Sequence, residues 1–177
     1  MLEGKKCEKK VSQEIRYAGN DIIDGFVSEN KEMRSSLEKI KNILCHEGYG
    51  GQSRFKNETA LNLDKYELLR LKGKVRDNTV DFVVGLRKNW LLLVEAKFRV
   101  KNVENIRNLP DKISHSKELL QAEDTFVHAL RTVVVLLPEF RFQQQSNMLQ
   151  KLMISRYRQI RPMTVSKFYQ EYFQDNS

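Results

Sequence analysis

Residues 79–98 read TVDFVVGLRKNWLLLVEAKF, the most apolar and most strand-like stretch of the chain, yet Asp81, Glu95 and Lys97 interrupt it. A charge withdrawn from water is costly unless it is paired or bound to a metal. The arms VDFVV and WLLLVEAKF flank a turn expected over Gly85–Asn89, so the stretch reads as a β-hairpin. Both arms are nearly continuous in apolar residues, as strands covered on both faces are. Residues two apart in a strand share a face, so Glu95 and Lys97 point the same way and Ala96 the other. Pairing of the arms would bring Asp81 beside them.

Working outward, Met33, Leu37, Ile40 and Leu44 recur at helical spacing between Ser28 and Cys45, and Glu29 extends that stripe. Ser28 is a plausible N-cap, and the glycines of HEGYGGQ mark the helix stop. Residues 52–63 read as a loop and KYELLRLKGKVRD as a strand. NLPDKISHSKELLQAE reads as a helix with Pro110 near its first turn, and RTVVVLLP as a buried strand. SNMLQKLMISRY follows as an amphipathic helix. IRPMTVSKFYQEYF gives a short extended piece and a last helix started by Thr164 or Ser166. Cys45 reads as a core residue and Trp90 as packing. The pattern predicts an α/β fold, a mixed sheet with helices on both faces. Three parts are expected: a basic N-terminal segment 1–27, a core over 28–140, and a basic helical C-terminal extension over 141–177 packed on it.

The chain has 177 residues, 40% hydrophobic and 31% charged, which suits one globular domain with a real core. No apolar run approaches a membrane span, the opening MLEGKKCEKK has no apolar leader core, and Cys7 and Cys45 form no disulfide framework. A cytoplasmic protein is expected. Lys and Arg outnumber Asp and Glu by 31 to 23, a net +8 that favours a polyanionic partner, nucleic acid first. Between Glu139 and Glu171 there is no carboxylate, while Arg141, Lys151, Arg156, Arg158, Arg161 and Lys167 fall there with Tyr157, Phe168 and Tyr169 among them. That stretch is either a solvated helical face or a phosphate-contacting surface.

Two carboxylates and an ammonium converging at the end of a hairpin suit a hard divalent cation. Mg²⁺ takes one or two carboxylates together with water and substrate phosphate, and the Ala96 carbonyl offers one more oxygen. A metal so held acidifies a bound water and neutralises charge on a phosphoryl group, and Lys97 would steady that water or the phosphorane. The competing reading is a buried ion pair stapling two strands.

The arrangement D-x13-E-x-K on a hairpin, with a helix before and a helix and strand after, resembles the PD-(D/E)XK nuclease superfamily from roughly Ser28 to Pro138. Val80 stands where the motif's proline would be. The resemblance implies a restriction-endonuclease-like fold and Mg²⁺- or Mn²⁺-dependent hydrolysis of DNA, with Asp81 and Glu95 as metal ligands and Lys97 as the catalytic lysine. It also implies a glutamate on the first helix, for which Glu29 is the candidate and Glu32 and Glu38 are rivals. The ending I-x-P-M-T-V-x-x-F, carried by Ile160, Pro162, Met163, Thr164, Val165 and Phe168, is similar to type IIS restriction endonuclease cleavage domains and subunits. A homodimer or a partner subunit supplying recognition follows as an expectation. Nucleic-acid contacts are expected from Lys74, Arg76, Arg99, Lys112, Lys117, Arg156, Arg158 and Arg161. His46 reads as a surface or capping residue, or as a ligand if the substrate is RNA, and His115 as a residue lining the substrate channel. An RNA endonuclease of the same fold and a non-catalytic nucleic-acid-binding module are the alternatives.

Overall fold

A six-stranded mixed sheet organises the chain, with its strands in sequence order. β1 (Leu37–Lys39), β2 (Thr59–Asn62), β3 (Phe82–Leu86) and β4 (Trp90–Ala96) run antiparallel in succession. β5 (His128–Leu136) lies parallel to β4, and β6 (Ile160–Met163) parallel to β5. The computed structural model describes residues 15–72, 78–99, 104–121, 128–153 and 159–174.

Helices cover both faces. On one side α1 (Asp21–Phe26), α2 (Lys31–Arg34), α4 (Leu63–Leu71), α5 (Leu109–Gln121) and α6 (Phe142–Met153) bury Ile23, Met33, Tyr66, Ile113 and Leu149 against Val83, Leu91, Leu93 and Val133. On the other, α3 (Ile40–His46) and α7 (Val165–Tyr172) bury Ile43, Leu44, Phe168 and Tyr172 against Phe82, Val84, Leu92, Val94 and Val134. Alternate residues of β3 and β4 therefore feed two cores, which is why neither arm alternates with polar residues. Each fully buried Leu, Ile or Phe contributes about 1.5–3 kcal/mol.

The hairpin forms as expected, with Phe82 opposite Val94 and Leu86 opposite Trp90. Its turn is tighter than the sequence reading and spans Arg87–Asn89, where Lys88 and Asn89 take φ of 59° and 57°. Asn tolerates that left-handed backbone through its short polar side chain. Gly85 belongs to β3. A Cβ there would sit 2.8 Å from the backbone nitrogen of Ile23, so glycine lets α1 press onto the strand. The α5, β5, α6 and β6–α7 readings also hold, and Thr164 is the α7 N-cap, accepting from Lys167 N at 3.2 Å.

Two readings fail together. The helix expected over Ser28–Cys45 is broken into α2, β1 and α3. Asn30, not Ser28, caps α2, and the Ser36 hydroxyl turns back onto the Glu32 carbonyl at 2.7 Å. Leu37–Lys39 then leaves the helix to pair with Thr59–Leu61, inside a segment expected to be loop. The strand expected in KYELLRLKGKVRD is α4, started by Asn62, which accepts from Lys65 N at 2.9 Å. Its buried residues Leu63, Tyr66 and Glu67 follow helical spacing, a pattern masked by the neighbouring exposed Leu68 and Leu69. Cys45, expected in the core, is exposed.

Candidate metal centre

The open end of the hairpin meets three helices. Extending the β3–β4 register one step past Phe82 and Val94 sets Asp81 opposite Glu95. All three motif charges are buried: Asp81 is 6% exposed, Glu95 0% and Lys97 9%. Asp81 Oδ2 accepts from the Ala96 backbone N–H at 2.6 Å, and its carbonyl accepts from Leu63 N at 3.1 Å. One residue, through its carboxylate and its backbone carbonyl, thus ties β4 to the start of α4. The Ala96 N–H faces Asp81, and a strand residue turns its carbonyl to the same side as its N–H, so that oxygen faces Asp81 as well.

Around Asp81 the fold gathers two carboxylates that the sequence reading passed over. Glu47, at the end of α3, and Asp64, in the first turn of α4, each bring an oxygen within 4.8 Å of the others and of Asp81. Asp64 Oδ1 also accepts from the Thr79 hydroxyl at 3.2 Å. Glu47 had a readable signal. A carboxylate at a helix C-terminus opposes the macrodipole, which favours cations there. Asp64 had none, because an acid in a first turn is the ordinary arrangement. Glu29, the expected first-helix glutamate, is exposed between α1 and α2, and the clustered residue is Glu47. Of its rivals, Glu32 is exposed, and Glu38 accepts from Asn62 Nδ2 at 3.0 Å.

Glu95 is held differently. Its Oε1 receives both Lys97 Nζ at 2.6 Å and Lys112 Nζ, from α5, at 2.8 Å. Its Oε2 is buried with no hydrogen-bond partner, a state that costs about 1–3 kcal/mol unless compensated. Lys112, expected on the nucleic-acid surface, instead points into the site. Ser116, one turn along α5, receives Val80 N at 3.0 Å and donates to the Lys112 carbonyl at 2.7 Å, which fixes α5 against the hairpin.

The electrostatics match this crowding. Burial first, then the Glu95 and Glu47 charges, hold the Asp81 pKa well above the usual carboxylate range. Burial, then Asp64 and Glu95, push Glu47 up as well, against the pull of Lys97 and Arg99. Burial alone would lower Lys112, but the Glu95 charge and hydrogen bond outweigh it and raise its pKa. Four carboxylates face two ammonium groups in this corner. The donors are all hard oxygens, clustered and short of positive charge, and they fit a small divalent cation.

The remaining residues are dispersed. Arg99 is exposed and donates to the His46 carbonyl at 3.4 Å. Lys117 is half-buried and its pKa is lowered by burial and by Arg131. Arg161 pairs with Glu171 at 2.6 Å. The His46 side chain is 70% exposed, 3.5 Å from Glu38. His115 lies 3.6 Å from the buried Glu67, which Arg70 also meets at 2.9 Å. Trp90 packs on the second core. Lys74, Arg76, Arg156 and Arg158 lie outside the described residues. No helix among the described residues is long and apolar enough to cross a membrane. Compared with known proteins, the chain matches no family model, no curated protein and no solved structure.

Proposed function

We propose that this chain is a Mg²⁺- or Mn²⁺-dependent nuclease of restriction-endonuclease-like fold that hydrolyses phosphodiester bonds in DNA. The observation that carries the reading is the corner where the buried Asp81 meets the half-buried Glu47 and Asp64 while Glu95 holds Lys97. A structural staple needs one carboxylate and one lysine, and this corner crowds like charges instead. When bound, the divalent ion supplies a water acidified toward hydroxide and charge neutralisation at phosphate.

The chain's own groups divide the remaining work. Glu47, Asp64 and Asp81 offer the ligand oxygens, and the Ala96 N–H keeps the Asp81 carboxylate aimed. Glu95 orients the Lys97 ammonium, whose charge serves the attacking water or the oxygens of the transition state. Lys112 stays on Glu95 if Lys97 turns toward substrate, so the buried carboxylate never lacks a partner. The net charge of +8 draws a polyanion toward this acidic pocket. Double-strand cleavage takes two such sites, supplied by a second copy or a partner subunit.

Incubation of the purified protein with plasmid DNA and with structured RNA, in Mg²⁺, Mn²⁺ or EDTA, tests the proposal. Metal-dependent nicking or linearisation of the plasmid is expected. Intact DNA in both metals overturns it, and cleavage of RNA alone moves the substrate class.

A further inference from the structure

Beside the carboxylate corner lies a cavity of about 230 Å³ lined by Gly48, Tyr49, Gly51, Phe98, Glu139 and Phe140. It adjoins the site along the chain, since Gly48 directly follows Glu47 and Phe98 directly follows Lys97. Its walls are aromatic. Tyr49 and Phe98 pack with ring centroids 5.1 Å apart. Phe140 stands 75% exposed on the rim, with the Arg141 guanidinium 5.5 Å from its ring centroid. A methyl group at Gly51 would fall 2.6 Å from the hydroxyl end of the Tyr49 ring, so glycine there leaves room for that ring.

Charge is distributed to suit a nucleotide. Arg99 lies against Gly48 on one side and Arg141 stacks on Phe140 at the other, two cations beside an apolar slot. At the exposed edge of the slot, Glu139 has one carboxylate oxygen held by the Ser166 hydroxyl at 2.6 Å. A carboxylate so held accepts from an exocyclic amino group, such as cytosine N4, and repels a carbonyl edge.

We infer that this cavity receives one unpaired nucleobase of the substrate, stacked on Phe140 against the packed Tyr49–Phe98 pair, with Glu139 favouring bases that carry an exocyclic amino group. The inference deepens the nuclease reading and rests on it for the identity of the polymer. It makes the substrate one in which a nucleotide near the scissile phosphate is unpaired or can be flipped out of the duplex. Stacking on aromatic rings contributes most where bases are free of a duplex, and it is tolerant of sequence. The amino-group preference adds the discrimination.

Fluorescence anisotropy of the full chain in EDTA, where no cleavage occurs, tests this directly. Short labelled single strands of deoxycytidine and of thymidine are compared with a blunt duplex of the same length. Deoxycytidine is expected to bind tighter than thymidine. Phe140→Ala, at a rim position whose loss leaves the cores intact, should weaken single-strand binding about 5- to 150-fold and leave duplex binding unaltered. Glu139→Gln should erase the deoxycytidine preference. Equal affinity of the wild type and Phe140→Ala for single strands, or tighter binding of thymidine by the wild type, overturns the inference. Plasmid cleavage is read separately in Mg²⁺. Base binding without cleavage leaves the pocket standing and removes the nuclease reading, while cleavage with an indifferent Phe140→Ala does the reverse.

Discussion

The backbone N–H of Ala96 donates to Asp81 Oδ2 at 2.6 Å, so the strand that carries Glu95 and Lys97 aims the carboxylate facing it. That bond favours the charged form of Asp81, yet burial and the neighbouring acids outweigh it and leave the pKa raised.

Asp81→Asn keeps an acceptor for Ala96 and removes one of the clustered charges. Without metal the variant should melt higher than the wild type, with about 2–4 °C in Tm for each kcal/mol of repulsion relieved at this size. Mg²⁺ should raise the melting temperature of the wild type and not of the variant. Calorimetric titration checks the same point, and equal Mg²⁺ uptake by both proteins removes Asp81 from the metal site.

The raised Asp81 and Glu47 values set the sign of a pH effect. Both carboxyls bind a proton more tightly in the folded chain than in the unfolded one, so stability falls as pH rises from the usual carboxylate range through the raised values. Metal-free melting curves from acid to neutral pH should show this fall, and saturating Mg²⁺ should flatten it. A metal-free stability that climbs across the same window contradicts the assignment.

Lys97 and Lys112 share one oxygen of Glu95, which separates chemistry from stability. Lys97→Met leaves Lys112 on Glu95, so the protein should fold and bind metal while cleavage drops by about 10²–10³. Removing both lysines leaves Glu95 buried and unpaired, a loss of about 3–5 kcal/mol. Urea unfolding of the two variants, beside a plasmid assay of the first, reads both outcomes. Full activity in Lys97→Met assigns that lysine to structure.

Gly85→Ala tests the close approach of α1 to β3. The added methyl would meet the Ile23 backbone at 2.8 Å, which a main chain cannot relieve by a rotamer change. A cost of about 1–3 kcal/mol is expected in urea unfolding. An unchanged midpoint places α1 off the strand.

The sequence by itself determined the hairpin of residues 79–98, because a long apolar run broken by a turn is a local signal that survives in any context. Lys97 on the face of Glu95 follows from strand alternation, but the turn read over Gly85–Asn89 would set Asp81 opposite Leu93, and the tighter turn at Arg87–Asn89 sets it opposite Glu95. Only the tertiary structure decided which acids join them. Glu47, Asp64 and Lys112 come from three helices far apart in the chain, and no spacing rule links them to the hairpin. β1 and β2, with three and four residues, are too short to show a period. Their pairing drew Leu37 out of a stripe that otherwise reads as helix. Long-range pairing overrode local propensity there, and the same break set α3 where its last residues deliver Glu47 to the site.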